Sequence, residues 1–554
     1  MSYDKPIGVI LSESTSAKAI CQLYEEAEGK VSEGELYIIK YSHGNKRILA
    51  RVDKVIPYSE FYQAGDAWSE ARRKAAPIPS EISRKYMIAE LELLGEIKKG
   101  QLSEVTLPPA PGDEVYRIHD PDEIMNIVLS SSDDAVFIEF GRLLGYENIS
   151  ALLDLNALPM HMAVLGVTGS GKSYTVGYFL EKLSEIVLPN GIKTALSVLI
   201  IDANGDYLDF HREFNINGRK IGRWKEIIRF VFRKSSIFFT VGKGIKPISF
   251  DIDQAFEPRE VAELIITYYT GGSLNELQIA ALEAALKALK EEGIMMTSIF
   301  LEEDDFARLR GELARASEQK LIHDQTHKAI LRAIEKFRRD VVEEYELLSY
   351  SRNATFDTNF IDKITERDNP TLAIIDFSTD GAPGVPLQLK QLVVSYITKL
   401  LLKQFTKYKI EGKDRILLLV IEEAQNYCPN LEVYPIGYSL ARDNLAQIAT
   451  QGRKFGLSLC LVSQRPSFVD PVVLSMVNTY IIHRISAADV TFVKRIAGGL
   501  PRVIEDKLVN LATGRAIIAG QMNKLGFPLV VNIPQRNVKP TIGRISVSKI
   551  LSGQ

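Results

Sequence analysis

Gly166, Val167, Thr168, Gly169, Ser170, Gly171, Lys172 and Ser173 follow the spacing G-x-x-x-x-G-K-[ST], between an apolar run, Met162 to Leu165, and an amphipathic stretch. Glycines at these positions let backbone N–H groups converge on the α- and β-phosphates of a nucleotide, at the positive end of the helix that follows. A lysine placed as Lys172 reaches the β- and γ-phosphates, and a hydroxyl placed as Ser173 ligates Mg²⁺. Val176, Phe179, Leu180 and Leu183 recur at i, i+3, i+4 and i+7, which turns one helix face to a sheet; Tyr174, next after Ser173, is a further candidate nucleotide contact. A glycine-rich turn with a chance lysine would not bring both flanks with it. The pattern predicts a site for ATP with Mg²⁺.

Hydrolysis also needs a metal-organising acid and a group that positions water. Ile416 to Ile421 is an unbroken apolar run, suited to a central parallel strand, and it ends in Glu422-Glu423-Ala424. Ligands gather at the carboxyl ends of strands in parallel α/β sheets. Glu422 is therefore expected to hold Mg²⁺ through water and Glu423 to polarise the attacking water. An acidic helix start favoured by the helix dipole explains either carboxylate alone, but poorly explains both directly after such a run. Two further strand exits carry polar groups. Gln464, after Leu459-Cys-Leu-Val-Ser463, is a candidate γ-phosphate sensor or a plain polar strand end; Asp202, after Leu199-Ile-Ile, reads equally as a nucleotide contact and as a turn carboxylate.

These groups need a scaffold. From Ile7 to Val105 short β-rich runs alternate with glycine and polar turns, the pattern of a small barrel or sandwich, and Leu-Pro-Pro-Ala-Pro-Gly-Asp at 107–113 closes it or leads out of it. From Asn156 onward apolar strands alternate with amphipathic helices, which predicts a parallel α/β sheet covered on both faces. Its expected strands are Met162 to Leu165, Ser197 to Ile201, Leu372 to Ile375, Ile416 to Ile421, Ser458 to Val462 and Thr479 to His483. Between Gly271 and Ser351 the text is purely helical. Ser273 and Glu276 have the spacing of a capping box, Leu274, Leu277, Leu282, Leu286 and Leu289 follow at helical intervals, and Ile330, Ile334, Phe337 and Val341 share a later face. The expected organisation is a barrel over 1–110, a connection over 111–155, an α/β core over 156–270 and 356–533, a helical bundle inserted at 271–355, and an arm over 534–554.

Composition narrows the partners. The 554 residues carry 67 basic and 70 acidic side chains, a formal net charge of -3, so a nucleic-acid surface must be local rather than general. One local candidate is the stretch from His211 to Lys234, with Arg212, Arg219, Lys220, Arg223, Lys225, Arg229, Arg233 and Lys234 around Trp224; a solvated basic helix is its plainer reading. Three cysteines form no disulfide framework, and Cys428 and Cys460 lie in or beside apolar runs, as buried thiols of a cytoplasmic protein do. No run of apolar residues is long enough to span a membrane. His323-Asp-Gln-Thr-His327 has two histidines at helical spacing but no general-base Glu and no third ligand, which argues against a metal site.

The run from Leu152 to Ser173 resembles the entry to the motor domain of the HerA family, as do Asp202 to Tyr207, Ile421-Glu-Glu-Ala-Gln425, and Gln451-Gly-Arg453-Lys-Phe-Gly-Leu457 followed by Ser-Gln-Arg-Pro466. The resemblance covers most of the chain, and it implies an N-terminal barrel, a RecA-like P-loop ATPase core, a helical insertion and a C-terminal arm. It also implies a homohexameric, ATP-driven DNA translocase or helicase related to FtsK, which acts with a NurA-type nuclease in DNA end resection and repair. Carried over to this sequence, it makes Arg453 a candidate arginine finger that completes a neighbouring subunit's site, with Arg515 as a second candidate; a cation favouring a helix C-terminus is the plainer reading of Arg453. Gln425 stands where many members have His, a departure that leaves the assigned roles in place. Two other ring functions fit a P-loop ATPase: threading of polypeptide, which calls for aromatic pore loops, and scaffolding of an effector nuclease.

Overall fold

The computed structural model describes residues 5–42, 46–63, 65, 68–75, 84–99, 101–129, 134–232, 242–378, 385–438 and 440–539. They form two compact units, one of Met1–Leu155 with Ala497–Pro534 and the other of Asn156–Ile496 with the segment from Gln535 onward.

In the first unit, Gly8–Ile10, Lys18–Leu23, Leu36–Lys40, Arg47–Tyr58, Tyr86–Lys98 and Glu114–Arg117 close an antiparallel barrel, because Tyr86–Lys98 pairs back onto Lys18–Leu23. Alternating inward residues, among them Ile10, Cys21, Tyr37, Ile39, Ile48, Val52, Leu91 and Val115, fill it. Register shifts between Leu49 and Ala50 and between Val52 and Lys54 let the long fourth strand bend round the barrel. The proline-rich turn feeds the closing strand. Asp113 anchors that turn by accepting from the Ser42 N–H and hydroxyl, both at 2.7 Å, and from the Ala110 N–H at 2.8 Å. Glu114–Arg117 thus lies past residue 110, inside the stretch expected to be a connection. Beyond it, Phe137–Leu143, Ser150–Asp154, Arg515–Gly520 and Leu529–Asn532 pair antiparallel in the same unit, so residues 497–534 group here rather than with the α/β core where the sequence pattern set them.

The second unit holds eight parallel strands in the order Ile245–Pro247, Glu226–Val231, Thr371–Asp376, Val198–Asp202, Leu417–Ile421, Leu457–Ser463, Met162–Leu165 and Thr479–Ile482. Six are the strands expected from apolar runs, within a residue or so at each end. The other two lie in or just after the basic stretch. Ile227, Ile228, Phe230 and Val231 are buried there, and Arg229 is neutralised by Asp376 at 2.6 Å on the adjacent strand. Counting charges hid a strand.

The inserted helices Glu276–Glu291, Met296–Leu301, Glu303–Glu318 and Asp324–Phe337 bury Ile279, Leu282, Leu286, Leu289, Phe300, Phe306, Leu309, Ile330, Ile334 and Phe337. Their first cap is not the expected one. Asn275 accepts from the Gln278 N–H, while the Ser273 N–H turns back to the Thr270 hydroxyl. The helix therefore starts later, and Leu274 and Leu277 stay 49% and 75% exposed, off the packed face. All three cysteines are buried free thiols, and no described helix is long and apolar enough to cross a membrane.

His161 starts the Met162–Leu165 strand from a left-handed backbone, φ 66, and is buried. Its Nδ1 accepts from the Leu459 N–H at 3.0 Å and its Nε2 meets the Ala449 carbonyl at 3.1 Å, which requires the neutral ring with the proton on Nε2. Burial pushes its pKa down to about 4. The unfolded chain, with an ordinary histidine near 6.5, binds the extra proton between those values, so this contribution is present above about pH 6.5 and lost as pH falls toward 4. Denaturant midpoints at pH 7 and 4.5 should show roughly 2–3 kcal/mol of acid destabilisation in the native protein that is missing from His161→Gln. Equal losses in both proteins would clear His161 of the effect.

Candidate functional site

The phosphate loop connects the end of Met162–Leu165 to the helix Lys172–Leu183. Gly169 and Gly171 adopt left-handed φ of 73° and 110°, and a Cβ on Gly166 would stand 2.7 Å from both the Ser170 hydroxyl and His483 Cβ. Only glycine fits this turn. Lys172 is 7% exposed, and its ammonium makes one hydrogen bond among the described residues, to the Val167 carbonyl at 3.2 Å. Burial lowers its pKa, opposed by the nearby charges of Glu423, Glu422 and Asp206. The hydroxyls of Ser170 and Thr175 are buried without partners among the described residues. A buried cation with spare donors and orphaned hydroxyls in a glycine cradle fits a polyphosphate.

The neighbouring strands Leu457–Ser463 and Leu417–Ile421 end at the same edge and deliver Gln464 and the acidic pair. Glu423 is held at φ 52, ψ 48, a left-handed conformation that a non-glycine residue rarely adopts and that clusters at functional sites. Gln464 donates to one oxygen of its carboxylate and Gln425 to the other, at 2.5 Å for Gln425, while the Thr168 hydroxyl in the phosphate loop donates to the Gln464 carbonyl. Glu422 is 2% exposed and accepts from the Tyr207 hydroxyl. Burial raises its pKa to about 8 despite that bond, and the charges of Asp202, Asp206 and Glu423 add to the rise. A divalent cation beside it would relieve that repulsion.

Asp202 does the work of a turn. Its oxygens accept from the N–H groups of Asn204, Gly205, Asp206 and Tyr207 at 2.8 to 3.3 Å, and it is fully buried, so its carboxylate is committed to the loop rather than to a nucleotide. That loop in turn sets Tyr207 against Glu422.

The family model described as the HerA helicase central domain matches residues 138–401. Two relatives named DNA double-strand break repair helicase HerA align nearly end to end. The protein of Sulfurisphaera tokodaii is 25% identical over 95% of this chain and 92% of its own, and that of Sulfolobus acidocaldarius is 25% identical over the same shares. The chain thus carries a HerA central domain over 138–401 and is similar to HerA helicases over nearly its whole length. Among solved structures, VirB4 of Thermoanaerobacter pseudethanolicus is similar at 16% identity and a TM-score of 0.46, over 72% of this chain and 96% of that one.

Three further candidates are Arg453, Arg515 and Tyr174. Arg453 sits in the turn Gly452–Lys454 before the amino end of Leu457–Ser463, exposed and with no ion-pair partner among the described residues. Roughly 20 Å of strand separates it from Gln464 at the other end, too far to reach its own phosphate loop. Arg515 belongs to the other compact unit, where it donates to the Asn532 side chain at 3.1 Å. Tyr174 is occupied by the chain's own arm: its hydroxyl accepts from the Arg536 N–H at 2.7 Å, and the Arg536 guanidinium fills the space that a side chain at Gly177 would take. Glu181 accepts from the Asn537 and Val538 N–H groups at 3.0 and 2.7 Å, which docks the arm on the phosphate-loop helix. The rest of the arm, 540–554, falls outside the described residues. Sequence periodicity gave no sign of this docking, nor of Tyr207.

Proposed function

We propose that this protein is a Mg²⁺-dependent ATPase that drives DNA translocation or unwinding as a homohexamer in the cytoplasm, in partnership with a NurA-type nuclease in DNA end repair. The observation that carries the reading is one sheet edge holding a glycine cradle, a buried lysine with spare donors, and a backbone-strained Glu423 tied to the loop through Gln464 and Thr168. The loop N–H groups, Lys172 and the following helix bind the phosphates; Ser173 and Glu422 would hold Mg²⁺, which supplies charge neutralisation on the β- and γ-phosphates. Glu423 polarises the attacking water, and Gln464 reads the γ-phosphate from the next strand. Arg453, out of reach of its own loop, serves a neighbour's. The near full-length relatives named as DNA repair helicases support DNA as the track.

The DNA-facing candidate shrinks to a turn. Arg219, Lys220 and Arg223 are exposed before the strand Glu226–Val231, and the Arg223 N–H donates to the Ser184 carbonyl at 2.7 Å, past the far end of the phosphate-loop helix. Arg229 is withdrawn into its ion pair, and Arg233 and Lys234 lie outside the described residues. ATPase turnover should rise on adding DNA and not on adding unfolded polypeptide. Reversing charge at Arg219, Lys220 and Arg223 should leave basal ATPase unchanged and flatten the dependence of log affinity on log salt by about 0.9 for each DNA phosphate no longer neutralised. Stimulation by polypeptide alone would replace the DNA motor with a protein threader, and an unchanged slope would move the DNA path off this turn.

A further inference from the structure

Gln425 is 8% exposed and lies between a strand end and the acidic pair. Its carbonyl accepts from the Ser463 hydroxyl at 2.8 Å, and its amide nitrogen donates to Glu423 Oε2 at 2.5 Å. The sense of the amide is fixed by its partners. The Glu423 carboxylate can only accept, so the amide nitrogen faces it and the carbonyl is left to accept from Ser463, whose Oγ also accepts the Arg465 N–H at 3.2 Å. We infer that Gln425 is a positioning residue for hydrolysis, holding the Glu423 carboxylate in the orientation from which it polarises water. This rests on the reading of Glu423 as the water-polarising group.

The two amides on Glu423 are not equivalent. Gln464 is anchored to Thr168 inside the phosphate loop, so a nucleotide bound in that loop would compete for its bonds. Gln425 is anchored to Ser463, a buried residue of the parallel sheet, and no phosphate competes for that anchor. When Gln464 turns to the γ-phosphate, Gln425 remains as the fixed holder. The left-handed backbone of Glu423 already fixes where its side chain starts; Gln425 removes the torsional freedom that is left. Each carboxylate oxygen offers two lone pairs, and one amide hydrogen on each leaves the others for water.

Gln425→Glu is nearly isosteric and can still accept from Ser463, but it turns an anionic oxygen toward Glu423; Gln425→His restores an N–H. The first should lower kcat by about tenfold to a hundredfold, the range a misplaced reacting group loses, with KM for ATP and affinity for a non-hydrolysable ATP analogue within about threefold of wild type. The second should keep kcat within about threefold of wild type. A merely structural plug would lower both alike or move KM. Wild-type kcat in Gln425→Glu, or equal losses in the two variants, would overturn the inference. If Gln425→Glu does not fold, Ser463→Ala frees the same amide and should show the same kcat loss at unchanged KM; normal turnover there would also overturn it. Glu423→Gln is measured beside them. Normal turnover in Glu423→Gln would remove the reading of Glu423 and this inference with it, whereas an inactive Glu423→Gln beside a fully active Gln425→Glu overturns this inference alone.

Discussion

Glu423→Gln should bind Mg-ATP with near-native affinity and hydrolyse it about 10²- to 10⁴-fold more slowly, the usual contribution of a positioned general base. The phosphate cradle and Lys172 are untouched by the change, as is the hydrogen bond from Tyr207 to Glu422 beside them. What disappears is an acceptor. The new amide at position 423 would present hydrogens where the Gln425 nitrogen now donates, so the variant loses both its basicity and one of its two holders. Glu422→Gln should fail in the opposite sense, weakening the Mg²⁺ dependence of nucleotide binding, because Glu422 is the buried carboxylate beside Asp202 and Asp206. Single-turnover hydrolysis and equilibrium binding, measured on both variants, separate the cases. If Glu422→Gln preserves binding and Glu423→Gln destroys it, the two roles are reversed. Lys172→Ala should abolish both binding strength and turnover, since it removes the charge on the β- and γ-phosphates.

The elements legible in the sequence are those whose signal is local. Met162–Leu165 with its loop and helix, and Leu417–Ile421 with its acidic end, each state their conformation within one continuous stretch of chain, through apolar runs, glycines and helical spacing. Glu226–Val231 is hidden because Arg229, a surface residue by type, is made a core-edge residue by Asp376, which is remote in sequence. The cap at Asn275 is ambiguous because Ser273 and Asn275 both suit that role, and the choice depends on where the Thr270 hydroxyl turns the chain. Partners farther apart leave no trace in spacing at all. Tyr207 reaches Glu422 across 215 positions and Val538 reaches Glu181 across 357, pairings that only the folded sheet and the docked arm create. Gln425 reads as a tolerated variation in the sequence, and only the fold puts Ser463 and Glu423 on either side of it.

Arg453→Ala subunits should fold, assemble and bind ATP, yet lose about 10³- to 10⁵-fold in hydrolysis, the range a trans arginine contributes to phosphoryl transfer. The strand Leu457–Ser463 stands between Arg453 and its own phosphate loop, so the side chain cannot stabilise the transition state in the subunit that carries it. Loss of activity alone does not establish action on a neighbour. The deciding measurement mixes Arg453→Ala with Lys172→Ala subunits, each inactive by itself, after exchange between assemblies has been verified. Where a Lys172→Ala subunit offers its intact Arg453 to an Arg453→Ala subunit that keeps Lys172, one complete site forms, and ATPase activity should return in proportion to such pairs. If no activity returns at any ratio, a dilution series of Arg453→Ala into wild-type subunits decides between the two remaining cases. Linear loss with the variant fraction would mean that each Arg453 serves only its own subunit, and would overturn the trans assignment. Loss steeper than linear would mean that hydrolysis runs only where consecutive sites are intact, which retains Arg453 as the neighbour's finger and adds coupling around the ring.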